Sequence, residues 1–227
     1  MSNLAIIPAR GGSKRIPKKN IKHFLGIPIL AYSIKAALES KLFEKVIVST
    51  DSDEIADVAK YWGAETPFKR SEENSSDFAT TIDVIKEVNE FYDTEGVYFT
   101  SICCIYPCAP FVTAKKLKDS YDLMLTKGFD SVFPVVKYGF PIQRALQISN
   151  DKLSFIQPEY ELYRSQDLES SFHDAGQFYW LNNDRFKING KIVSENSGAF
   201  IVSELEAQDI DNAVDWKIAE LKYELLK

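Results

Sequence analysis

IIPARGGSKRIPKKN, residues 6–20, begins on apolar Ile6 and Ile7, turns at a glycine pair, Gly11 and Gly12, and ends in a crowd of positive charge. Six basic residues and no acid lie between Arg10 and Lys22, in a chain of formal net charge -6. An apolar strand, a glycine turn and then cations place a ligand-facing loop beyond the carboxyl end of a first strand, where open α/β sheets bind their ligands. Glycines let a backbone approach a ligand and adopt conformations closed to other residues, so the N–H groups of Gly11 and Gly12 are expected to face phosphate oxygens. Arg10, Lys14, Arg15, Lys18 and Lys19 add charge enough for several phosphates. A bare run of lysines is more often a solvated face, and the two glycines directly after a strand shift this one towards phosphate. Neither the P-loop spacing nor the GxGxxG pattern of dinucleotide binders is present.

Outward from this loop, strands and helices alternate. Asn3 to Pro8 reads as a buried strand, Pro28 to Leu42 as a helix, Lys45 to Thr50 as a strand and Asp51 to Trp62 as a helix stopped by Gly63. A helix over Thr80 to Tyr92, a strand over Val97 to Ile105, a helix over Thr113 to Thr126 ended by Gly128 and a strand over Asp130 to Val136 continue the order. Such alternation predicts an α/β fold with a mostly parallel central sheet covered on both faces. The pattern breaks between Lys137 and Asp174, where RALQISNDKLSFIQ reads as two short strands around an Asn150-Asp151 turn. Residues 137–174 are thus a candidate insertion in one domain spanning 1–227. Gln177 to Leu181 and Gly198 to Ser203 return as strands, and Trp216 to Leu226 closes as a helix.

Composition excludes several classes. With 26% charged and 45% hydrophobic residues, the chain is that of a globular protein. An acidic balance argues against a general nucleic-acid binder. No apolar run approaches a membrane span and the first ten residues do not read as a signal peptide, so a cytoplasmic location is expected. Cys103, Cys104 and Cys108 have neither CxxC spacing nor a neighbouring histidine, and read as reduced thiols.

The whole string IIPARGGSKRIPKKN closely resembles the N-terminal signature of the cytidylyltransferases that activate nonulosonic acids, the CMP-sialic acid synthetase family. The resemblance continues through VIVSTDSDEIADVAKYWGA, RSEENSSDFATT, IYPCAPF and DIDNAVDWKIAE, and so covers essentially the whole chain. It implies a Rossmann-like nucleotidyltransferase fold, CTP as donor, a divalent cation such as Mg2+ or Mn2+, and a homodimer whose inserted segment reaches over the partner's active site. It also implies Arg10, Ser13, Lys14 and Lys19 on the triphosphate, Asn20 beside the nucleotide, Arg70 on the cytosine, and Ala79 and Thr81 near base and ribose. Arg70 has a further argument, because it follows the short segment Glu65 to Lys69 and so falls at a strand end facing the same crevice.

Asp209 and Asp211 stand two apart, a spacing that in extended backbone turns both carboxylates to one face, where they can share a hard cation. Spacing alone favours two solvated acids before the last helix, with Asp215 stabilising its N-terminus. The family's metal motif matches DID and assigns the pair to the metal. The reaction so implied is attack of a sugar hydroxyl on the α-phosphorus of CTP, with Lys19, Arg10 and the metal stabilising charge, and Asp211 or a metal-bound water taking the proton.

The sugar is read from departures. Where the sialic acid enzymes carry glutamine before proline, this chain has Tyr106. Residues 163–180, YRSQDLESSFHDAGQFYW, resemble the corresponding stretch of family members that activate pseudaminic acid, a sugar of bacterial surface glycans and flagellins. Arg164 can grip a carboxylate, Gln166 and Gln177 offer amides, Tyr179 an aromatic face, and His173 with Asp174 is a further candidate pair. If Gln177 and Tyr179 line the site, strand alternation makes Phe178 and Trp180 core. His23 reads as structural. Rival readings are a 3-deoxy-manno-octulosonic acid or other nonulosonic acid cytidylyltransferase, an inactive sugar-nucleotide binder, and an NAD-dependent oxidoreductase, which lacks its glycine fingerprint here.

Overall fold

A computed structural model describes residues 2–227. In chain order the strands are β1 (Asn3–Pro8), β2 (His23–Phe24), β3 (Ile27–Pro28), β4 (Lys45–Ser49), β5 (Ser101–Ile105), β6 (Ser131–Lys137), β7 (Leu146–Ser149), β8 (Lys152–Phe155), β9 (Phe172–Asp174), β10 (Phe178–Asn182) and β11 (Ser197–Val202). The helices are α1 (Ile29–Ser40), α2 (Asp53–Tyr61), α3 (Glu72–Ser75), α4 (Thr81–Thr94), α5 (Ala114–Lys127), α6 (Asn183–Asn189) and α7 (Ala213–Leu225).

Seven strands form the main sheet in the order β11-β6-β10-β5-β1-β4, with β9 also on β6. The sheet is mixed. β4, β1 and β5 pair in parallel, as do β6 and β11, whereas β10 runs antiparallel to both β5 and β6, and β9 antiparallel to β6. The predominantly parallel arrangement therefore holds for five strands, and a reversed strand sits at the centre. Val97–Thr100 lies outside β5, and α3 and α6 join the elements that periodicity shows.

Period-two alternation splits the core between the sheet's faces. Ala5, Ile7, Val46, Val48, Cys103, Ile105, Phe178 and Trp180 pack on one side with Leu30 and Ile34 of α1 and Leu117 and Tyr121 of α5. Leu4, Ile6, Ile47, Ile102, Cys104 and Leu181 pack on the other with Ile85, Val88 and Tyr92 of α4. Phe178 and Trp180 are fully buried, as alternation requires.

A third cluster bears directly on the site. Ile16, from the glycine loop, and Ile210, between the two aspartates, are buried together with Phe24, Ile29, Phe111 and Trp216. This apolar contact docks two segments far apart in sequence against one another. The α7 N-terminus is closed by Asn212 and Asp215 in a capping box, and the Asp215 carboxylate also accepts from Asp211 N at 2.9 Å. The backbone carrying the aspartates is thereby fixed.

Between β6 and β9 the chain leaves the main sheet. β7 and β8 form a separate two-stranded sheet whose turn places Asn150 at φ 49° and Asp151 at φ 61°, as an Asn-Asp hairpin turn demands. Among the described residues no helix is long and apolar enough to cross a membrane.

Candidate active site

The carboxyl end of β1 opens into a cleft of about 460 Å³ lined by Arg10, Ser13, Lys14, Arg15, Lys19 and Asn20 on one side and Gln208, Asp209 and Asp211 on the other. A second cavity of about 500 Å³ adjoins it, lined by His173, Asp174, Ala175, Glu204, Ala207 and Lys222. Tyr106, Gly176, Gln208 and Asp209 line both, so these residues form the wall between two lobes of one cleft.

The first lobe is cationic, and its cations are held by carboxylates. Arg10 Nη1 lies 2.8 Å from Asp77 Oδ1 and donates to Ser76 O at 2.9 Å, and Lys14 pairs with the same Asp77. Hydrogen bonds from Lys14 and Arg10 hold the Asp77 carboxyl below its ordinary value. Arg15 Nη2 donates to Asp211 Oδ1 at 2.8 Å, while Lys19 Nζ donates to Ile210 O at 2.8 Å and stands 3.9 Å from Asp211 Oδ1. Asn20 is buried; its Nδ2 donates to Arg10 O at 2.9 Å and its Oδ1 accepts from the Cys108 thiol at 3.2 Å. Burial pushes that thiol up to about 12, so Cys108 is a neutral clamp on Asn20.

The glycines act differently from expectation. Neither Gly11 nor Gly12 takes a positive φ; the left-handed residue of this loop is Lys18, at φ 52°. Gly11 sits in a tight spot, since a Cβ there would stand 3.2 Å from Ser52 Cβ and the neighbour would have to give by a few tenths of an ångström. Its N–H donates to Asp51 Oδ1 at 2.8 Å, while a Cβ on Gly12 would meet open space.

Arg70 reaches the end of β4 through its N–H, which donates to Thr50 O at 2.9 Å. Its guanidinium is buried behind the cleft, with Nε donating to Ser49 Oγ at 2.9 Å and Nη2 to Ser49 O. Desolvation lowers its pKa, opposed by Asp51 and Glu87. Thr81 begins α4 and Ala79 lies just ahead of its N-cap Thr80, and Thr81 Oγ1 lies 3.0 Å from the Tyr106 hydroxyl.

Around the second lobe the expected sugar residues divide. His173 and Asp174 line it, with His173 Nδ1 2.9 Å from Asp174 O and its ring 4.9 Å from that of Tyr138. Gln177 and Tyr179 are buried behind it: Gln177 Nε2 donates to Glu206 O at 2.6 Å, and the Tyr179 hydroxyl donates to Asp174 Oδ2 at 2.7 Å. Arg164 and Gln166 line neither lobe. Arg164 pairs with Asp167 at 2.7 Å, and Gln166 lies in a separate depression lined also by Tyr138, Phe140 and Leu168.

Asp209 and Asp211 both face the cleft while Ile210 between them points into the core, as extended backbone dictates. Two hard oxygen donors beside a cluster of cations suit a magnesium ion, which takes one or two protein carboxylates and completes its shell with phosphate oxygens and water. No group of three or more histidine, cysteine, aspartate or glutamate side chains able to hold a metal exists among the described residues. Residues that sequence reasoning missed are Asp77, Gln208 and Lys222. Asp77 lies in RSEENSSDFATT yet shows no pattern of its own, because its partners are 63 and 67 positions away in the chain.

Comparison with known proteins matches residues 4–188 to a family model described as cytidylyltransferase. The chain is 36% identical over 226 residues to a pseudaminic acid cytidylyltransferase of Campylobacter jejuni, covering 99% of this chain and 97% of that one. It is 32% identical to a CMP-N,N'-diacetyllegionaminic acid synthase of Legionella pneumophila, with the same coverage. Among solved structures, a CMP:2-keto-3-deoxy-manno-octonic acid synthetase in complex with CTP superposes with a TM-score of 0.72 over the full length of both chains at 14% identity, a likeness of fold.

Proposed function

Because this chain belongs to the cytidylyltransferase family, and so is a CTP-dependent nucleotidyltransferase, we propose that it transfers CMP from CTP to the anomeric hydroxyl of pseudaminic acid, releasing pyrophosphate. The observation that carries this reading is the two-lobed cleft: a cationic lobe for a triphosphate and a polar lobe for a sugar meet at a wall containing Tyr106 and Asp209. The acceptor follows from near full-length similarity to an enzyme named for that sugar.

In this reading the sugar hydroxyl oxygen bonds to the α-phosphorus as the bond from that phosphorus to the pyrophosphate oxygen breaks, and the hydroxyl proton passes to Asp211 or to water beside it. Arg10, Lys14, Arg15 and Lys19 hold the triphosphate, and Lys19, the least exposed of these four cations, meets the charge that develops on it. Asp209 and Asp211 would hold the divalent ion that the family uses, here Mg2+, which supplies further positive charge to the phosphates. Arg15 and Lys19 neutralise Asp211 in the free protein, and both stand where they could turn to the phosphates of a bound nucleotide.

A homodimer completes the assembly, with the insertion as its interface. Ile148 and Leu153, paired across β7 and β8, are 75% and 64% exposed, and Phe140, Ile156 and Leu162 join them on the insertion's surface. Arg164 and Gln166, which line neither lobe of their own chain, are then available to the partner.

The test is pyrophosphate release from purified protein with CTP and magnesium, supplied with pseudaminic acid, N,N'-diacetyllegionaminic acid, N-acetylneuraminic acid or no sugar, with UTP and ATP as controls. Release with CTP and pseudaminic acid is expected. Release with another nonulosonic acid in its place moves the acceptor, and none under any condition removes the transfer.

A further inference from the structure

The second lobe has one lysine and no arginine in its lining, and that lysine is Lys222 of α7. In the first lobe Arg10 and Lys14 already meet Asp77, and Arg15 and Lys19 already meet Asp211. Lys222 differs: among the described residues it has no carboxylate partner, and its Nζ donates instead to two backbone carbonyls, Glu204 O at 3.0 Å and Ala207 O at 2.8 Å. Carbonyl oxygens orient an ammonium group without cancelling its charge, and an ammonium has three donors. One N–H and a whole positive charge are left for what enters the lobe.

The rest of the lining narrows what that is. Its carboxylates are Asp174, Glu204 and Asp209. Asp174 is spent, since Oδ1 accepts from Gly176 N and Oδ2 from the Tyr179 hydroxyl, each at 2.7 Å. These acids disfavour an anion everywhere in the lobe but beside Lys222, so a ligand with a single carboxylate is oriented by that one pairing. In a nonulosonic acid the carboxylate and the anomeric hydroxyl sit on the same carbon. Fixing one therefore fixes the other. Lys222 is tied to Ala207 O, two residues before Asp209, and Asp209 lines both lobes, so one short stretch of backbone sets the ammonium against the wall where the lobes meet. Arg164, which reads from sequence as a grip for the carboxylate, lines neither lobe of its own chain and pairs with Asp167.

We infer that Lys222 binds the carboxylate of the sugar, and that this contact turns the anomeric hydroxyl towards the first lobe. This rests on the proposed transfer and names the part of the acceptor that selects it. A sugar acid with its carboxylate on the anomeric carbon matches the free charge, and a neutral sugar leaves it unmatched.

The test compares pseudaminic acid with its C1 carboxamide as acceptors for wild type, Lys222→Met and Lys222→Arg, reading the ratio of the two kcat/KM values. Wild type is expected to prefer the acid by about thirtyfold, the worth of one hydrogen bond between charged partners. Lys222→Met should lower that preference more than threefold, and Lys222→Arg should keep it. A loosened turn at Glu204 and Ala207 would slow both acceptors alike and leave the ratio where it was, so a purely structural lysine does not pass. A preference that stays within threefold of wild type in Lys222→Met, or a wild type that uses both acceptors equally, overturns the inference. Should Lys222→Met lose its melting transition, Lys222→Gln removes the charge while keeping a donor for the carbonyls, and its ratio is read in the same way. If the wild type transfers to no acceptor, calorimetry with the acid and the carboxamide measures the preference directly. A binding preference that disappears in Lys222→Met then leaves the carboxylate site standing while the transfer falls, and no preference in the wild type overturns the site as well.

Discussion

The Lys19 ammonium donates to the carbonyl oxygen of Ile210 at 2.8 Å, joining residues 191 positions apart in the chain. That bond ties the cationic loop after β1 to the segment carrying Asp209 and Asp211, and Ile16 and Ile210 bury an apolar contact beneath it. In the proposed reading, a triphosphate bound between them would meet Lys19 and the two carboxylates held in fixed register.

Lys19→Ala should lower kcat by about a hundredfold to a thousandfold, as losing a preorganised charge-stabilising group does, while melting stays near wild type because the Ile16 and Ile210 contact remains. Steady-state pyrophosphate release read beside the melting curve checks this. A wild-type kcat would make the basic loop a solvated surface.

Asp211→Asn should abolish turnover that depends on magnesium and leave Arg15 without its 2.8 Å carboxylate partner. Titrating the metal separates the two effects: a lost ligand appears as weaker apparent metal affinity, checked independently by Mn2+ binding in EPR. Unchanged metal affinity would remove Asp211 from the metal site.

Asp77 acts in the opposite sense. In the free protein it engages Arg10 and Lys14, two of the cations proposed to hold the triphosphate, so nucleotide binding there would have to break both pairs. Exposed ion pairs are weak, and Asp77→Asn is accordingly expected to tighten CTP binding by about threefold rather than by orders of magnitude. Calorimetry with CTP measures it, and weaker binding in the variant would show that Asp77 works with the nucleotide.

Much of this was legible in the sequence, for identifiable reasons. Local signals survived: the β-α alternation up to Val136, the Asn150-Asp151 turn and the helix end at Gly128, which sits at φ 65°. The direction of β10 was not legible, because FYWLN is buried nearly throughout and a fully buried strand carries the same pattern whichever way it runs. The acids that pair with the cationic loop were hidden for another reason. Asp77 and Asp211 reach it across 63 to 196 positions, and no local spacing records such a distance. Gln177 and Tyr179 were placed on the correct face of β10, yet strand alternation cannot tell a side chain that meets a ligand from one that supports a neighbour which does. Their partners, Glu206 O and Asp174 Oδ2, draw that distinction.

Glu206 links the wall segment to pH. Its carboxylate accepts from Ser203 Oγ at 2.7 Å and pairs with Lys116 at 2.9 Å, and the Ser203 hydrogen bond, followed by Lys116, lowers its pKa from 4.5 to about 2. A folded-state pKa below the unfolded one contributes stability that is present above about 4.5 and is lost as pH falls towards about 2. Glu206→Gln should melt about 2 °C below wild type at pH 7, with the two curves converging by pH 2. Melting temperature against pH tests this, and a constant gap down to pH 2 would assign the stabilisation to something other than the charge.

The segment between β6 and β9 supplies the last test. β7 and β8 form a sheet of their own and place Ile148 directly opposite Leu153, both largely exposed, so the pair presents one apolar face that the monomer leaves uncovered. Contiguous apolar surface of this kind is costly in water and marks an interface. Wild-type protein is expected to be dimeric by light scattering, and Ile148→Asp with Leu153→Asp monomeric, with a far-UV spectrum that still reports the main sheet. If Arg164 and Gln166 serve the neighbouring copy's sugar lobe, the monomeric variant should keep its CTP affinity, which depends on the loop from Arg10 to Asn20, and lose kcat/KM for the sugar. Loss of CTP affinity together with the dimer would instead tie the nucleotide lobe to the interface, and a wild-type monomer would detach the insertion from assembly altogether.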